Sequence, residues 1–181
     1  MELSISMLGF VKKPTKNKFC KGEILIGLAS SGLHSNGFFK VREIFGEKYY
    51  PDFTRPTEIY LLEVLKLAEK FDIGGLMNIT GGAYTKLKDL LSKNIDVVIG
   101  GSKQLKPQNI FKQICTKGVS DKEMYRTFNC GIGFIFSVKK DQAKNCLVAI
   151  KKHKADIIGE VVSGRGEVIV ESKFSNTAVV F

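Results

Sequence analysis

Small polar residues are concentrated in 30-SSGLHSNG-37, between an apolar run and an amphipathic segment. The serine hydroxyls can donate hydrogen bonds, the Asn36 amide can donate and accept them, and His34 could reach a phosphate or a proton in transfer. A helix that begins near Ser35 or Asn36 would add free backbone N–H groups, which with the glycines make a good site for an anion. The segment therefore predicts binding of a phosphorylated ligand.

A purely structural role explains the same residues. Ser35 or Asn36 could cap the following helix, because serine and asparagine are preferred at that position, and His34 would then face solvent. The spacing of the residues leaves both interpretations open.

A second junction between a strand and a helix, 78-NITGGAYT-85, has the same design. Thr80 and Thr85 could hydrogen-bond a ligand, while Gly81 and Gly82 let the backbone approach it closely. Taken alone, the pattern is explained better by a tight turn.

The third candidate is 124-MYRTFNCGIGF-134. Arg126 could form two parallel hydrogen bonds to a carboxylate or phosphate, and Asn129 could orient a substrate amide. The alternatives are a surface ion pair and an asparagine turn. The glycines at 131 and 133 come before the predicted strand, so they do not form a dinucleotide-binding fingerprint.

Apolar periodicity predicts the elements that must position these residues. Strands are expected at 23–30, 74–80, 95–99 and 131–138, helices at 35–46, 58–71, 81–93, 107–118 and 141–153, and a hairpin over 156–172. Gly46 suits a helix C-cap, Thr57 could cap the second helix, and Ser120 with Glu123 forms a capping-box pattern. The alternation of strands and helices indicates an α/β or α+β fold with a mixed sheet.

Two further segments carry a pattern of apolar residues. In the predicted helix 58–71, Ile59, Leu62 and Leu65 fall near one face. Residues 3–11 could form a strand, although their pattern is irregular.

Length and charge restrict the classes of function. The chain has 181 residues and a formal net charge of +10. A basic chain can bind RNA, but the lysines are dispersed and no RNA-binding motif is present, so attraction for phosphorylated small molecules is the favoured interpretation. No segment predicts a membrane span or a signal peptide, and we expect a cytoplasmic protein that binds neither nucleic acid nor membrane.

The cysteines do not form a metal-binding pattern. Cys20, Cys115, Cys130 and Cys146 are far apart and no CxxC spacing occurs. The sequence holds two histidines besides them. We therefore expect thiols in a reducing compartment and no metal site.

Five segments, in this order, resemble the aminoimidazole ribonucleotide synthetase family, also called phosphoribosylformylglycinamidine cyclo-ligase. They are GEILIGLASSGLHSNGFFKVREIF, RPTEIY, MNITGGAYTKL, KPQNIFKQICTKGVSDKEMYRTFNCGIGF and IIGEVV. The resemblance extends from about Gly9 to Ser172, and SSGLHSNG together with EMYRTFNCGIG is highly specific. Ala83 stands where the family usually has a third glycine, and it would be strained if the backbone there needs a positive φ.

The resemblance implies an α+β fold, with a mixed sheet packed with helices. It also implies that residues 1–181 form a single C-terminal domain, and that the N-terminal domain, which contributes most of the ATP and magnesium site, is absent. The complete enzyme would use ATP and Mg²⁺ to convert formylglycinamidine ribonucleotide to aminoimidazole ribonucleotide in purine biosynthesis. This half would be inactive alone and would bind neither cofactor by itself. A non-catalytic domain that binds a nucleotide or a partner is the alternative.

The implied partners are a phosphorylated ribonucleotide and a separate or missing N-terminal half, and a homodimer is kept open. His34 and Asn36 are the expected catalytic residues, His34 for electrostatic or proton-transfer work and Asn36 for substrate contact. We expect both to face the ITGG turn instead of packing inside the core. The expected substrate-binding residues are Ser30, Ser31, Gly32, Ser35, Thr80, Gly81, Gly82, Arg126 and Asn129.

Overall fold

The computed structural model describes residues 4–10, 16–46 and 51–181. These residues form a seven-stranded sheet with the order β2-β4-β1-β5-β3-β6-β7. All neighbouring strands are antiparallel except β3 and β6, which are parallel. The strands are β1 Ile24–Ala29, β2 Ile73–Asn78, β3 Ile95–Ile99, β4 Ile132–Val138, β5 Ala155–Ser163, β6 Val168–Glu171 and β7 Ala178–Val180. The predicted α+β class with a mixed sheet is confirmed.

Helices cover both faces of this sheet. They are α1 Phe38–Phe45, α2 Leu61–Ala68, α3 Asn109–Thr116, α4 Asp121–Thr127 and α5 Ala143–Ala149. Two 3₁₀ helices, Pro51–Phe53 and Ala83–Leu90, complete the described elements, so the helix predicted at 81–93 exists as a 3₁₀ helix. None of the described helices has both the length and the apolar character that a membrane crossing needs.

Strand β1 carries apolar side chains on both faces of the sheet, so each face has to be covered by helices. Leu25 belongs to the core that contains residues of α3 and α4, whereas Ile26 and Leu28 belong to the core that contains residues of α2 and α5. All three side chains are fully buried. Burying each one contributes about 1.5–3 kcal/mol, so the alternation along β1 stabilises a helix layer on each side.

The hairpin predicted over 156–172 is wrong. Strands β5 and β6 are not neighbours, because β3 lies between them. The carboxylate of Asp96 on β3 accepts hydrogen bonds from the backbone N–H groups of Arg165, Gly166 and Glu167, at 2.7–2.9 Å. This carboxylate holds the turn beside β3, so the chain passes over β3 and pairs with its far side.

The helix boundaries confirm some of the predicted caps and correct one. Ser120 Oγ accepts a hydrogen bond from Glu123 N at 3.3 Å, and Gly46 occupies the C-cap of α1. The cap predicted at Thr57 is wrong, since α2 begins at Leu61 with Tyr60 at its N-cap. The later start places Tyr60 at the N-cap, where its buried side chain packs in the core that contains residues of α2 and α5.

Candidate functional site

Sheet topology brings the three candidate segments to one edge. Strands β1 and β2 both pair antiparallel with β4, so they run parallel to each other and end on the same side of the sheet. The 30–37 turn follows β1 and the 80–82 turn follows β2. Residues 126–131 lead into β4 between them. Apolar periodicity alone could not predict this proximity, because it gives no strand order.

Asn36 is the point where the three segments meet. Its Nδ2 donates a hydrogen bond to the carbonyl oxygen of Thr127 at 2.6 Å. A Cβ at Gly81 would lie 3.5 Å from Asn36 Oδ1, so the two glycine-bearing turns are in van der Waals reach. Asn36 therefore faces the ITGG turn, as expected, and is half-buried.

Asn129 fixes the shape of the 30–37 turn. Its Oδ1 accepts hydrogen bonds from Ser30 Oγ at 2.8 Å and from Gly131 N at 2.9 Å. Its Nδ2 donates to the carbonyl oxygens of Gly32, at 2.8 Å, and Leu33, at 3.3 Å. Because these bonds occupy both ends of the buried amide, Asn129 holds the backbone of the turn in this structure.

His34 lies inside the turn. Its side chain is buried, with 4% of the residue's surface exposed, and its φ of 60° is in the left-handed region. Nε2 accepts a hydrogen bond from Ser31 N at 3.1 Å. An amide N–H can only donate, so Nε2 must carry the lone pair and Nδ1 the proton. This Nδ1–H donor has no partner among the described residues.

These surroundings favour the neutral form of the His34 ring. Burial lowers the pKa of His34 below its ordinary value, and the nearby Glu58 carboxylate opposes this only in part. The expectation that His34 would avoid the core is therefore wrong, although its role in a reaction stays a prediction.

Tyr60 holds the turn from the other side, and the sequence did not single it out. Its hydroxyl donates to the carbonyl oxygen of Ala29, the last residue of β1, at 2.7 Å. Its ring centroid lies 6.3 Å from that of His34. A Cβ at Gly133 would overlap the Tyr60 hydroxyl and the His34 ring, which is why this position of β4 needs a glycine. Burial raises the pKa of Tyr60, so its phenol keeps its proton.

The serines of the 30–37 turn differ in exposure. Ser30 is buried, and its hydroxyl is bonded to Asn129. Ser31 Oγ donates to the carbonyl oxygen of Pro56 at 2.6 Å, Gly32 is buried, and Ser35 is exposed. Of these serines, Ser35 keeps the hydroxyl that is most accessible to a ligand.

The remaining predicted residues lie at the surface of the same edge. Thr80, Gly81 and Gly82 are half-buried, and Arg126 is exposed in the last turn of α4, where it forms no ion pair with the described residues. Ala83 follows with a φ of 41°, so the strain expected from a methyl group here is present and costs on the order of 1 kcal/mol.

The start of α1 has no side-chain cap. Its N-cap is Gly37, in the left-handed region, and neither Ser35 nor Asn36 bonds to the first turn. The interpretation of the segment as an ordinary cap by one of these side chains is therefore wrong. The first N–H groups of α1 have no acceptor from the N-cap side chain, as an anion site would require.

A cleft of about 270 Å³ adjoins the 30–37 turn. It is lined by Ser31, Gly32, Asp52, Arg55, Gln108, Asn109 and Ile110. Gln108 joins the cleft to the turn, because its Nε2 donates to the carbonyl oxygen of Ser30 at 2.5 Å. Arg55 is paired with Asp52 at 2.8 Å. Sequence reasoning missed both Arg55 and Gln108, for which the only signal was their place in the resembling segments.

The described residues contain no group of three or more histidine, cysteine, aspartate or glutamate side chains that could hold a metal ion. The cysteines at 20, 115, 130 and 146 are all free thiols. What the edge offers a ligand is backbone N–H groups, hydroxyls, one free guanidinium and a close approach to glycine backbone.

The fold defines a class of α+β domains found in proteins of different activity. Hydrogenase maturation protein HypE matches this chain with a TM-score of 0.64 at 16% identity, over 94% of this chain and 56% of that one. HypE in complex with ATP matches with a TM-score of 0.56, again at 16% identity, over 92% and 52% of the two chains. At these identities the likeness concerns the fold alone.

Sequence comparison defines the family. The chain belongs to the AIR synthase related proteins, whose C-terminal domain matches residues 21–171. A phosphoribosylformylglycinamidine cyclo-ligase from Clostridium perfringens is 40% identical over 155 residues, which cover 79% of this chain and 46% of that protein. One from Methanococcus vannielii is 36% identical and covers 89% and 51% respectively. The chain thus spans about half the length of these relatives, and the resemblance read from the sequence is confirmed.

Proposed function

We propose that this chain is the C-terminal half of an ATP-dependent cyclo-ligase that closes formylglycinamidine ribonucleotide to aminoimidazole ribonucleotide in purine biosynthesis. Its support is the family match and the cyclo-ligase relatives at 34–40% identity. The missing half of those relatives would supply the ATP site, either as a separate chain or as a longer form of this one. This half would be inactive alone.

The chemistry requires an amide oxygen to become a leaving group, and phosphoryl transfer from ATP would supply that activation. The protein's task is then to position the substrate and stabilise charge. Residues of this half would hold the phosphorylated substrate, orient its amide and exclude water from it.

The start of α1 would bind negative charge. Its uncapped N–H groups and the exposed hydroxyl of Ser35 lie at the same edge as Gly81 and Gly82. Backbone donors at a helix start favour phosphate oxygens. Arg126, exposed and without an ion pair among the described residues, would add positive charge at the rim.

Asn36 would contact the substrate amide, because its Oδ1 faces the 80–82 turn while its Nδ2 is bonded to Thr127. His34 would act through its Nδ1–H group, the donor left without a partner among the described residues. A buried donor without an acceptor costs about 1–3 kcal/mol, so a substrate oxygen that reached it would be bound strongly.

The residues of this half suit a nucleotide phosphate better than a metal ion. The backbone donors suit a phosphate, and HypE, which shares the fold, has been crystallised with ATP. The described residues do not fit Mg²⁺, since they form no cluster of three or more acidic, histidine or cysteine ligands. No step of the proposal is therefore assigned to a metal held by this half.

The observation that carries the proposal is the meeting of the two turns at Asn36 and Gly81, in a chain whose relatives are cyclo-ligases. The test is to join the N-terminal half of the Clostridium perfringens relative to this chain and to measure ATP-dependent formation of aminoimidazole ribonucleotide. We expect turnover from the fusion and none from either half. His34→Ala and Asn36→Ala should lower turnover strongly.

Phe39→Ala is the matched control, because Phe39 lies on α1 but is 79% exposed. It should leave turnover unchanged. A folded fusion without activity would contradict the proposal, as would full activity of both site variants.

A non-catalytic domain that binds a nucleotide or a partner is the second candidate. The burial of His34 and the hydrogen bond from Ser31 N to its Nε2 favour it, since a general base needs a free lone pair. Nucleotide binding by a fusion that never turns over would support this candidate over the cyclo-ligase.

A further inference from the structure

The cleft of about 270 Å³ beside the 30–37 turn has the size of a small ligand site. Sites for drug-sized ligands have volumes of about 300–1,000 Å³, so this cleft suits a single ring better than a whole nucleotide. Among its described lining residues, Ile110 is the one with an apolar side chain, and it is only 2% exposed. The cleft therefore suits a small polar group.

The charges in the cleft cancel. Its charged lining residues are Asp52 and Arg55. Asp52 Oδ1 accepts a hydrogen bond from Arg55 Nε at 3.0 Å and lies 2.8 Å from Arg55 Nη2. Because the guanidinium already has its counter-ion, a phosphate would gain little net attraction here. The cleft thus favours a neutral ligand, unlike the start of α1.

Three polar groups of the cleft have no hydrogen-bond partner among the described residues. Two belong to the Asp52–Arg55 pair, whose Oδ2 and Nη1 atoms are unused, and the third is the side-chain amide of Asn109. They provide an acceptor, a donor and an amide that can do both. A hydroxyl group also donates and accepts, so two adjacent hydroxyls would satisfy this set.

The 30–37 turn forms one wall of the cleft, through Ser31 and Gly32. A Cβ at Gly32 would lie 3.6 Å from the carbonyl oxygen of Asp52 and 3.8 Å from Arg55 Cβ. Ser31 Oγ donates to the carbonyl oxygen of Pro56, the residue after Arg55. These contacts hold the Asp52–Arg55 pair against the turn, so the cleft and the candidate site share the same backbone.

We propose that the cleft binds the ribose ring of a ribonucleotide through its two adjacent hydroxyl groups. Asp52 Oδ2 accepts a hydrogen bond from one hydroxyl, and the Asn109 amide and Arg55 Nη1 donate to the hydroxyl oxygens. Hydrogen bonds with a charged partner are roughly twice as strong as neutral ones, so Asp52 supplies most of the selectivity. The identity of the sugar rests on the proposed function, whose substrate is a ribonucleotide.

Amide chemical shifts of the isotopically labelled chain, titrated with ribose 5-phosphate, test the proposal. We expect saturable shifts at Gly32, Asn109 and Ile110. The comparison ligand is 2-deoxyribose 5-phosphate, which carries the same charge but lacks adjacent ring hydroxyls. It should bind at least about fivefold more weakly, because one hydrogen bond is lost. Inorganic phosphate should not shift these three amides.

Asp52→Asn should reduce the preference for ribose over 2-deoxyribose to less than about twofold, because the charged acceptor is lost. Asp89→Asn is the matched control, since it makes the same change at an exposed residue outside the cleft. It should keep the full preference. Asn109→Ala, at another exposed position, should also lower the preference, and circular dichroism checks that each variant is folded.

Four results would overturn the proposal. They are no shifts at the cleft amides, equal binding of the two sugar phosphates, the same shifts with inorganic phosphate alone, and a preference that survives Asp52→Asn.

Turnover by the fusion with the N-terminal half is a separate readout. An active fusion whose cleft does not distinguish the two sugars removes the ribose site alone. Selective binding by a chain whose fusion is inactive leaves the ribose site and removes the cyclo-ligase.

Discussion

The two histidines of this chain both lie near the ring of Tyr60, but their hydrogen-bond partners differ. The ring of Tyr60 is 4.8 Å from that of His153 and 6.3 Å from that of His34, measured between centroids. Both histidines are buried, and each has one ring nitrogen without a hydrogen-bond partner among the described residues.

His153 belongs to a network centred on a carboxylate. Its Nδ1 lies 2.5 Å from Glu63 Oε2, and its Nε2 lies 3.5 Å from Glu58 Oε2. Glu63 also accepts hydrogen bonds from the backbone N–H groups of Lys151, Lys152 and His153, at 2.7–3.1 Å. Burial opposes ionisation of Glu63, but the N–H groups of Lys152 and Lys151 and the His153 ring together hold its pKa below the ordinary value.

His34 has no carboxylate bonded to it, and its ring accepts from a backbone N–H. This difference indicates that His153, and not His34, takes part in a network that stabilises the fold. Removing the Glu63 carboxylate would leave four donors unpaired at once, whereas the Nδ1–H donor of His34 already has no partner among the described residues and is available to a ligand.

Glu63→Ala should have the largest effect on stability, because it removes the carboxylate that binds His153 and its neighbours. It leaves three backbone N–H groups and a ring nitrogen without their acceptor, in a site that is 9% exposed. We expect a loss of about 3–5 kcal/mol in the free energy of unfolding, measured by urea denaturation.

Glu69→Ala is its control, because Glu69 follows the same helix and is exposed. It should change stability by less than about 0.5 kcal/mol. Equal losses of unfolding free energy in the two variants would show that the hydrogen bonds of Glu63 to His153 and its neighbours do not stabilise the fold.

Tyr60→Phe should have an intermediate effect, because it removes one hydrogen bond, to the carbonyl oxygen of Ala29. We expect a loss of about 1 kcal/mol in stability. We also expect faster hydrogen exchange at the Ser31 amide, which donates to His34 Nε2.

Tyr125→Phe makes the same chemical change away from the turn, where the phenol oxygen accepts from Lys173 N at 2.8 Å. It should destabilise the chain to a similar extent without altering exchange at Ser31. Unchanged exchange in Tyr60→Phe would mean that Tyr60 does not hold the turn.

The strands could be predicted from the sequence because each is a short apolar run between turn residues. Ile24–Ala29 and Ile95–Ile99 were found within one or two residues. The neighbours of each strand could not be predicted, since apolar periodicity gives no strand order. The wrong hairpin at 156–172 has this origin: the decisive contact is made by Asp96, about 70 residues away in sequence.

The candidate site was predictable in composition but not in geometry. The polar residues of 30–37 and 80–82 predicted two ligand-binding turns, and sheet order brings them together. Which side chain of the 30–37 turn would be buried depends on Tyr60 and on Gly133, whose missing Cβ makes room for the His34 ring. Gly133 suggested only a close approach to the backbone of the strand, and Tyr60 gave no signal of its own, so the sequence did not show that His34 fills this space.

The pH dependence of stability distinguishes the contribution of His34 from that of the carboxylates. We expect this effect to be smaller than those of Glu63→Ala and Tyr60→Phe. The folded pKa of His34 lies below its ordinary 6.5, so the unfolded chain binds more protons as pH falls through that value and stability decreases. Glu63, with a lowered pKa, loses its contribution only in more acidic solution. Between about pH 7 and 5, His34→Gln should therefore show a flatter dependence of unfolding free energy than the wild type, because the two share every carboxylate. Identical slopes would mean that the ring gains a proton as readily in the folded chain as in the unfolded one. Burial would then not lower the pKa of His34.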